Sequence, residues 1–258
     1  MTIHFGTPKS ITTVADALPL YGRDEFASAT RSTVPLLSLL IHAPDLFAQI
    51  VRELGFPADH NLFLEYTVGP FGGRGKPSHT DVMLKAGNHA LAIEAKWTES
   101  MYPTVQKWLG EGSENKQKVR DGWIARLGQT YSTPFDSVIY QMLHRAASAA
   151  HTGTKPQLAY FLFKPSVQKS GPTSAITVEL ERLWNLLGDK KFPFDVVEIG
   201  LQPLPAFEAL PKDNGDDTAE AVCAALQGTD PLFRFGPVTI QRIGESTPPI
   251  VIATEGQP

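Results

Sequence analysis

Apolar positions in the first quarter of the chain recur at helical spacing and then switch to strand-like runs. Leu46, Phe47, Ile50, Val51 and Leu54 fall on one side of a helix over residues 45–54, and Gly55 stops it. Residues 35–42 predict an earlier helix, with Ser32 and Thr33 ahead of an early Pro35 and with Pro44 as the break. Residues 61–68, 79–85 and 89–97 then read as strands. They are joined by a glycine- and proline-rich turn over 69–78 and a tight turn over 86–88, which makes a three-strand meander. Further on, the pattern predicts a helix over 136–150, a strongly apolar strand over 157–163, a helix over 173–187 and a strand over 194–201. A loop over 203–217, a short helix over 218–226 and a late strand over 233–243 follow. This order predicts an α/β fold with a mixed central sheet flanked by helices. Residues 1–22 carry little periodicity and read as an irregular N-terminal arm; residues 246–258 read as a C-terminal tail. Between them, 23–245 read as one domain with an insertion near 98–135, where the pattern weakens around a charged run.

Composition narrows the classes. The 258 residues are 42% apolar and 19% charged, enough for a large hydrophobic core. The single cysteine, Cys223, excludes a disulfide framework within the chain, and no Cys/His cluster has zinc-ligand spacing. A reducing cytoplasm is the expected setting, without a signal peptide. The longest apolar stretch, residues 34–41, is interrupted by Pro35 and Ser38 and is too short to span a bilayer. The net charge of −4 gives no long-range attraction to a polyanion, so nucleic-acid binding would rest on a local basic surface.

The chemistry is concentrated in the meander. Alternation puts Glu94 and Lys96 on one face of the third strand and Leu91, Ile93 and Ala95 on the other. A hairpin between the second and third strands brings Asp81 towards Glu94 at one end of the sheet. Two carboxylates and a lysine in apolar strands are costly to bury without compensation, and a hard cation such as Mg²⁺ supplies it. The pattern Asp81, twelve intervening residues, then Glu94-Ala95-Lys96 resembles the PD-(D/E)xK nuclease superfamily. The surrounding helix, three antiparallel strands, helix and strand are similar to that family's core over roughly residues 35–163. His79-Thr80 stands where the family's eponymous proline is found, with Pro77 four positions upstream of Asp81.

The resemblance implies a restriction-endonuclease-like three-layer core and metal-dependent phosphodiester hydrolysis, on DNA. It implies Mg²⁺ or Mn²⁺ on Asp81, Glu94 and the Ala95 carbonyl, with Lys96 acting on the attacking water and the phosphate. Glu65 on the first strand is a candidate support for a second metal or the water network. Gln141 and Arg145, four apart on the following helix, can point into the site. Arg74 and Lys76 in the glycine-rich turn and Lys116, Lys118 and Arg120 in the insertion are candidate phosphate contacts. The latter three read equally well as a solvated face balanced by Glu111, Glu114 and Asp121. No membrane partner is implied, and a homodimer is compatible with the pattern.

Plainer readings stand beside these. Exposed strands often alternate Glu and Lys, so the triplet also fits a surface salt-bridge set, or a catalytically inactive nuclease fold serving as a nucleic-acid-binding or scaffold protein. Trp97, Trp108 and Trp123 can stack on bases or fill core. His144 reads as a helix-surface residue. The stretch 72–76 is no phosphate loop, because Pro70 and Pro77 occupy positions where that motif needs glycine and a hydroxyl residue.

Overall fold

The computed structural model describes residues 2–6, 9–165 and 175–254. The chain opens with β1 (Ile3–Phe5) and β2 (Lys9–Ile11), then two short 3₁₀ helices, then α1 (Thr33–His42) and α2 (Pro44–Glu53). The meander is β3 (Asn61–Val68), β4 (Ser78–Ala86) and β5 (His89–Lys96). Next come α3 (Val105–Leu109), α4 (Glu114–Arg126), α5 (Tyr140–Thr152), β6 (Lys155–Pro165), α6 (Ala175–Leu186) and β7 (Phe194–Pro203). The chain closes with α7 (Pro205–Glu208), α8 (Asp216–Gln227), β8 (Phe233–Arg242) and β9 (Ile250–Ile252).

All the described strands join one sheet in the order β2-β1-β3-β4-β5-β6-β7-β8-β9. The meander pairs antiparallel, β5 to β6 and β6 to β7 pair parallel, and β8 and β9 return antiparallel, so the sheet is mixed as expected. Two cores sandwich it. Leu91, Ile93 and Ala95 of β5 face the first, with α1, α2 and α8; Ala90 and Ala92 face the second, with α4, α5 and α6. This is a three-layer α/β arrangement. Burial on both faces explains why β5 and β6 read as nearly continuous apolar runs. No single helix among the described residues is long and apolar enough to cross a membrane; α1 and α2 pass that test only as a pair bent by 101°, and their apolar sides lie in the first core.

Several segments differ from the expectation. Within the span read as an arm, residues 2–6 and 9–22 contribute to the sheet and core: Ile3 pairs in parallel with Leu62, and Ala17 and Leu18 are buried. The C-terminal segment adds β9, with Val238 paired to Ile252. Each of these strands has three residues, too few for a periodic signal, so the pairing is decided by the neighbouring strand. Within the insertion, α4 buries Val119, Trp123 and Ile124 although most of its other positions are polar. The helix expected from residue 136 starts at Tyr140, because Val138 and Ile139 are extended and Ile139 bridges Thr104. The start of the helix expected over 173–187 falls on residues outside those described.

Candidate functional site

The β4–β5 ladder runs from Ala86 opposite His89 to Val82 opposite Ile93 and stops. In that register the next pair is Asp81 and Glu94. Across the other edge of β4, Leu64 faces Val82 and Tyr66 faces Thr80, so Glu65 stands opposite Asp81. On β6, Tyr160 is level with Glu94. One row across four strands therefore carries Glu65, Asp81, Glu94 and Tyr160. The row is irregular by construction. Glu65 has φ +50°, a left-handed conformation that costs a non-glycine residue on the order of 1–3 kcal/mol. Alternation also slips there, since Phe63 and Tyr66 face the same core. On β4, the Asp81 side chain accepts the Ala95 backbone N–H at 2.7 Å, beside the point where the ladder has ended.

Glu94 is the hub. Its side chain is 3% exposed, and its Oε1 accepts from Lys96 Nζ at 2.9 Å and from Gln141 Nε2 at 2.7 Å. Its Oε2 accepts from Arg145 Nε at 2.5 Å. The helical turn between Gln141 and Arg145 puts both onto the one carboxylate. Burial opposes the Glu94 charge, but Arg145 and Lys96 outweigh it and hold the carboxyl below its usual range. Among the described residues, Asp81 has no such cation in contact. Burial and then the Glu94 charge push its carboxyl well above the usual carboxylate range. Lys96 is shifted up: burial works against its charge, and Glu94 and Asp81 overcome that. Glu65 is half-buried and 3.6 Å from His79 Nδ1.

Residues not anticipated as part of the site surround this hub. Arg145 Nη1 also donates to Ser78 Oγ at 2.7 Å and lies 3.2 Å from His144 Nδ1. An arginine only donates, so His144 Nδ1 is the acceptor there and also towards the Ser78 hydroxyl at 2.8 Å; the neutral ring then carries its proton on Nε2. The expectation of a surface histidine was wrong: His144 is half-buried, and burial together with Arg145 drives its pKa well below the ordinary 6.5. Its inward position had no sequence signal beyond lying one residue before Arg145. Tyr160 is buried, its hydroxyl has no hydrogen-bond partner among the described residues, and burial followed by the Glu94 charge pushes its pKa well above 10.0. Tyr21, from the segment read as an arm, is raised by burial and then by the charges of Glu65 and Asp81.

Beside Arg145 opens a cavity of about 520 Å³ between the turn after β3, α3, α4 and α5. Arg74 and Lys76 line it, as do Lys116, Gln141, His144 and Arg145. Of the five cations expected to meet phosphate, Arg74 and Lys76 are exposed at this cavity. Lys116 is half-buried, donating to the Trp108 carbonyl at 2.7 Å, and Lys118 is exposed but paired with Glu114 at 2.6 Å. Arg120 departs from the expectation. It is buried, donates to Asp121 at 2.8 Å and lies over the Tyr131 ring at 3.5 Å, because α4 turns that side towards the segment 131–136 rather than to solvent. Of the tryptophans, Trp97 packs against Phe207 and Phe233 and Trp123 is core, while Trp108 stacks on Tyr140 at 3.9 Å and lines the cavity.

Among the described residues, no group of three or more His, Cys, Asp or Glu side chains is gathered as in a closed metal site. The donor set is two carboxylates with a neighbouring backbone carbonyl. That suits Mg²⁺, which is commonly bound through one or two carboxylates and keeps the rest of its shell for water and phosphate oxygens. The like charges of Asp81 and Glu94, uncompensated at Asp81, are what such a cation would relieve.

Searches for similar curated proteins and for similar solved structures find no match. A family model described as a domain of unknown function (DUF6946) matches residues 10–179, a span that holds α1 to α5, the meander and the whole carboxylate row, and the chain belongs to that family.

Proposed function

We propose that this protein is a Mg²⁺- or Mn²⁺-dependent phosphodiesterase that cleaves DNA, with Asp81, Glu94 and Lys96 as its catalytic residues. The observation that carries the reading is the meeting of Lys96 and Glu94 at 2.9 Å in the row where Asp81 stands at the end of the broken ladder. Asp81, Glu94 and the Ala95 carbonyl would hold the cation. A bound cation of this kind lowers the pKa of water and offsets charge on a phosphoryl transition state. Lys96, kept charged by the carboxylates, orients the attacking water and steadies the phosphate. Arg145 and Gln141 fix the Glu94 carboxylate from α5, so their part is positioning. Arg74 and Lys76 supply the local cations that a protein of net charge −4 needs to hold a polyanion.

One observation favours a second reading. Both Glu94 oxygens are already occupied by Lys96, Gln141 and Arg145, as in a nuclease fold that has become a nucleic-acid-binding or scaffold protein. Incubating supercoiled plasmid with the protein and Mn²⁺ or Mg²⁺, with and without chelator, separates the two. Metal-dependent nicking that Asp81→Asn abolishes is expected. Salt-sensitive DNA binding with no cleavage in either metal would replace the first reading by the second.

A further inference from the structure

We infer that the cavity beside Arg145 is a nucleotide pocket that takes one unstacked base against its aromatic wall, with the attached phosphate at the Arg74–Lys76 rim. Its placement next to the scissile bond rests on the phosphodiesterase reading; the binding itself does not.

Charge is the first argument. The chain carries 27 acidic and 23 basic residues, yet among the described residues no carboxylate lines this cavity, while exposed Arg74 and Lys76 do, together with Lys116 and Arg145, whose charges are already engaged by the Trp108 carbonyl and Glu94. An anion is therefore the complementary occupant. Shape and surface chemistry are the second. Four Trp and Tyr rings line the cavity: Trp108 and Tyr140 are stacked on each other, centroids 3.9 Å apart and planes 9° apart, Trp123 is buried behind them, and Tyr102 is the ring left open. Tyr102 is 50% exposed, which is unusual for a large aromatic side chain, and its ring lies 5.5 Å from Lys96 Nζ. It thus links the cavity to the proposed catalytic lysine. Inorganic phosphate alone has no use for an open ring such as Tyr102, whereas a nucleobase of any identity can stack on one. The volume of about 520 Å³ is that of a small-ligand site.

The pocket is also built in advance. Asn115 on α4 clamps the Arg74 backbone from both sides, its Oδ1 accepting the Arg74 N–H and its Nδ2 donating to the Arg74 carbonyl, each at 2.7 Å. A Cβ on Gly73 would lie 2.7 Å from Val119 Cγ2, and one on Gly122 would lie 2.1 Å from the Phe71 carbonyl oxygen. Glycine at both positions lets the turn seat directly on α4, so the rim cations are held at the cavity without prior ordering.

The test uses the full chain without metal and three probes: a deoxynucleoside 5′-monophosphate, deoxyribose 5-phosphate and inorganic phosphate, titrated by tryptophan fluorescence and calorimetry. The nucleotide is expected to bind about 5- to 100-fold more tightly than the sugar phosphate. Tyr102→Ala should erase most of that difference and Tyr102→Phe should keep it. Joint replacement of Arg74 and Lys76 by alanine should weaken all three probes. Equal binding of nucleotide and sugar phosphate, no binding, or a Tyr102→Phe variant as weak as Tyr102→Ala would each overturn the pocket. Mn²⁺-dependent hydrolysis of bis(p-nitrophenyl) phosphate, a diester without a base, is measured alongside. If it is absent while the nucleotide preference persists, the phosphodiesterase reading fails and the pocket stands; the converse result removes the pocket alone.

Discussion

Among the described residues, the sheet buries carboxylates in two places, and they are built differently. On β7 and β8, Asp195 is 1% exposed and meets Arg242 through two bonds, Nε to Oδ1 at 2.9 Å and Nη2 to Oδ2 at 3.3 Å. Arg242 also donates to the Leu54 carbonyl, tying the end of α2 to the sheet. Burial pushes the Asp195 carboxyl up and Arg242 opposes it; Arg242 also lies 4.0 Å from the exposed Glu245, so the buried acid has its own cation. On β4 and β5, Glu94 takes two cations and an amide for itself, and Asp81 is left with one backbone N–H and, among the described residues, no cation in contact. The first cluster is complete and closed. The second is lopsided, next to a left-handed Glu65 and a cavity. An unmet carboxylate in an otherwise saturated network is what supports the proposed metal site, since a purely structural pair gains nothing from it.

The comparison is broken or sharpened first by activity. Asp81→Asn and Glu94→Gln should each take metal-dependent cleavage to background, Lys96→Ala should lower it on the order of 10²–10⁴-fold while metal binding persists, and Asp195→Asn should leave it unchanged. Plasmid nicking rates with metal titration calorimetry read all four; an Asp195→Asn variant as inactive as Asp81→Asn would erase the distinction.

Stability should move in opposite directions at the two places. Asp195→Ala strands Arg242 and should cost about 3 kcal/mol, at the low end for a broken buried pair because the arginine is partly exposed. Asp81→Asn removes a charge that its surroundings disfavour and should gain about 0.5–2 kcal/mol in metal-free buffer. Urea unfolding midpoints give both, and a loss at Asp81 would make it a structural partner like Asp195.

The smallest effect concerns pH. His144 is neutral in the fold, with its pKa depressed below the unfolded 6.5, so between those values the unfolded chain binds more protons than the native one. Its contribution is present above pH 6.5 and is lost as pH falls below it, by up to about 1.4 kcal/mol per unit. A His144→Gln variant should show a flatter decline of the urea midpoint between pH 6.5 and 5 than the wild type.

The meander, the flanking helices and the later strands were legible because each carries five or more residues of one period. Asp81, Glu94 and Lys96 were legible because a charged residue in an apolar strand is conspicuous. Their partners were harder. Gln141 and Arg145 could be placed on one helix face by spacing, but nothing local says that the face turns to Glu94. His144 and Ser78 join the site only through Arg145, and Tyr102 only through the path of the chain after β5. Arg120 shows the limit in reverse. In a run of charges it looks like its neighbours, and only the packing of α4 commits it to Asp121 and Tyr131. The edge strands were illegible for lack of length.

Those edges have a consequence for the life of the protein in a crowded solution. β9 closes one side of the sheet with Ile250 and Val251 exposed, at 44% and 65%. An apolar outer strand is a template on which a second chain can add, the first step towards fibrous self-association. Here the strand is three residues long and follows directly on Pro248 and Pro249, which have no N–H to donate. The prolines truncate the template just where it would lengthen, so the boundary of the sheet doubles as a guard against runaway strand addition.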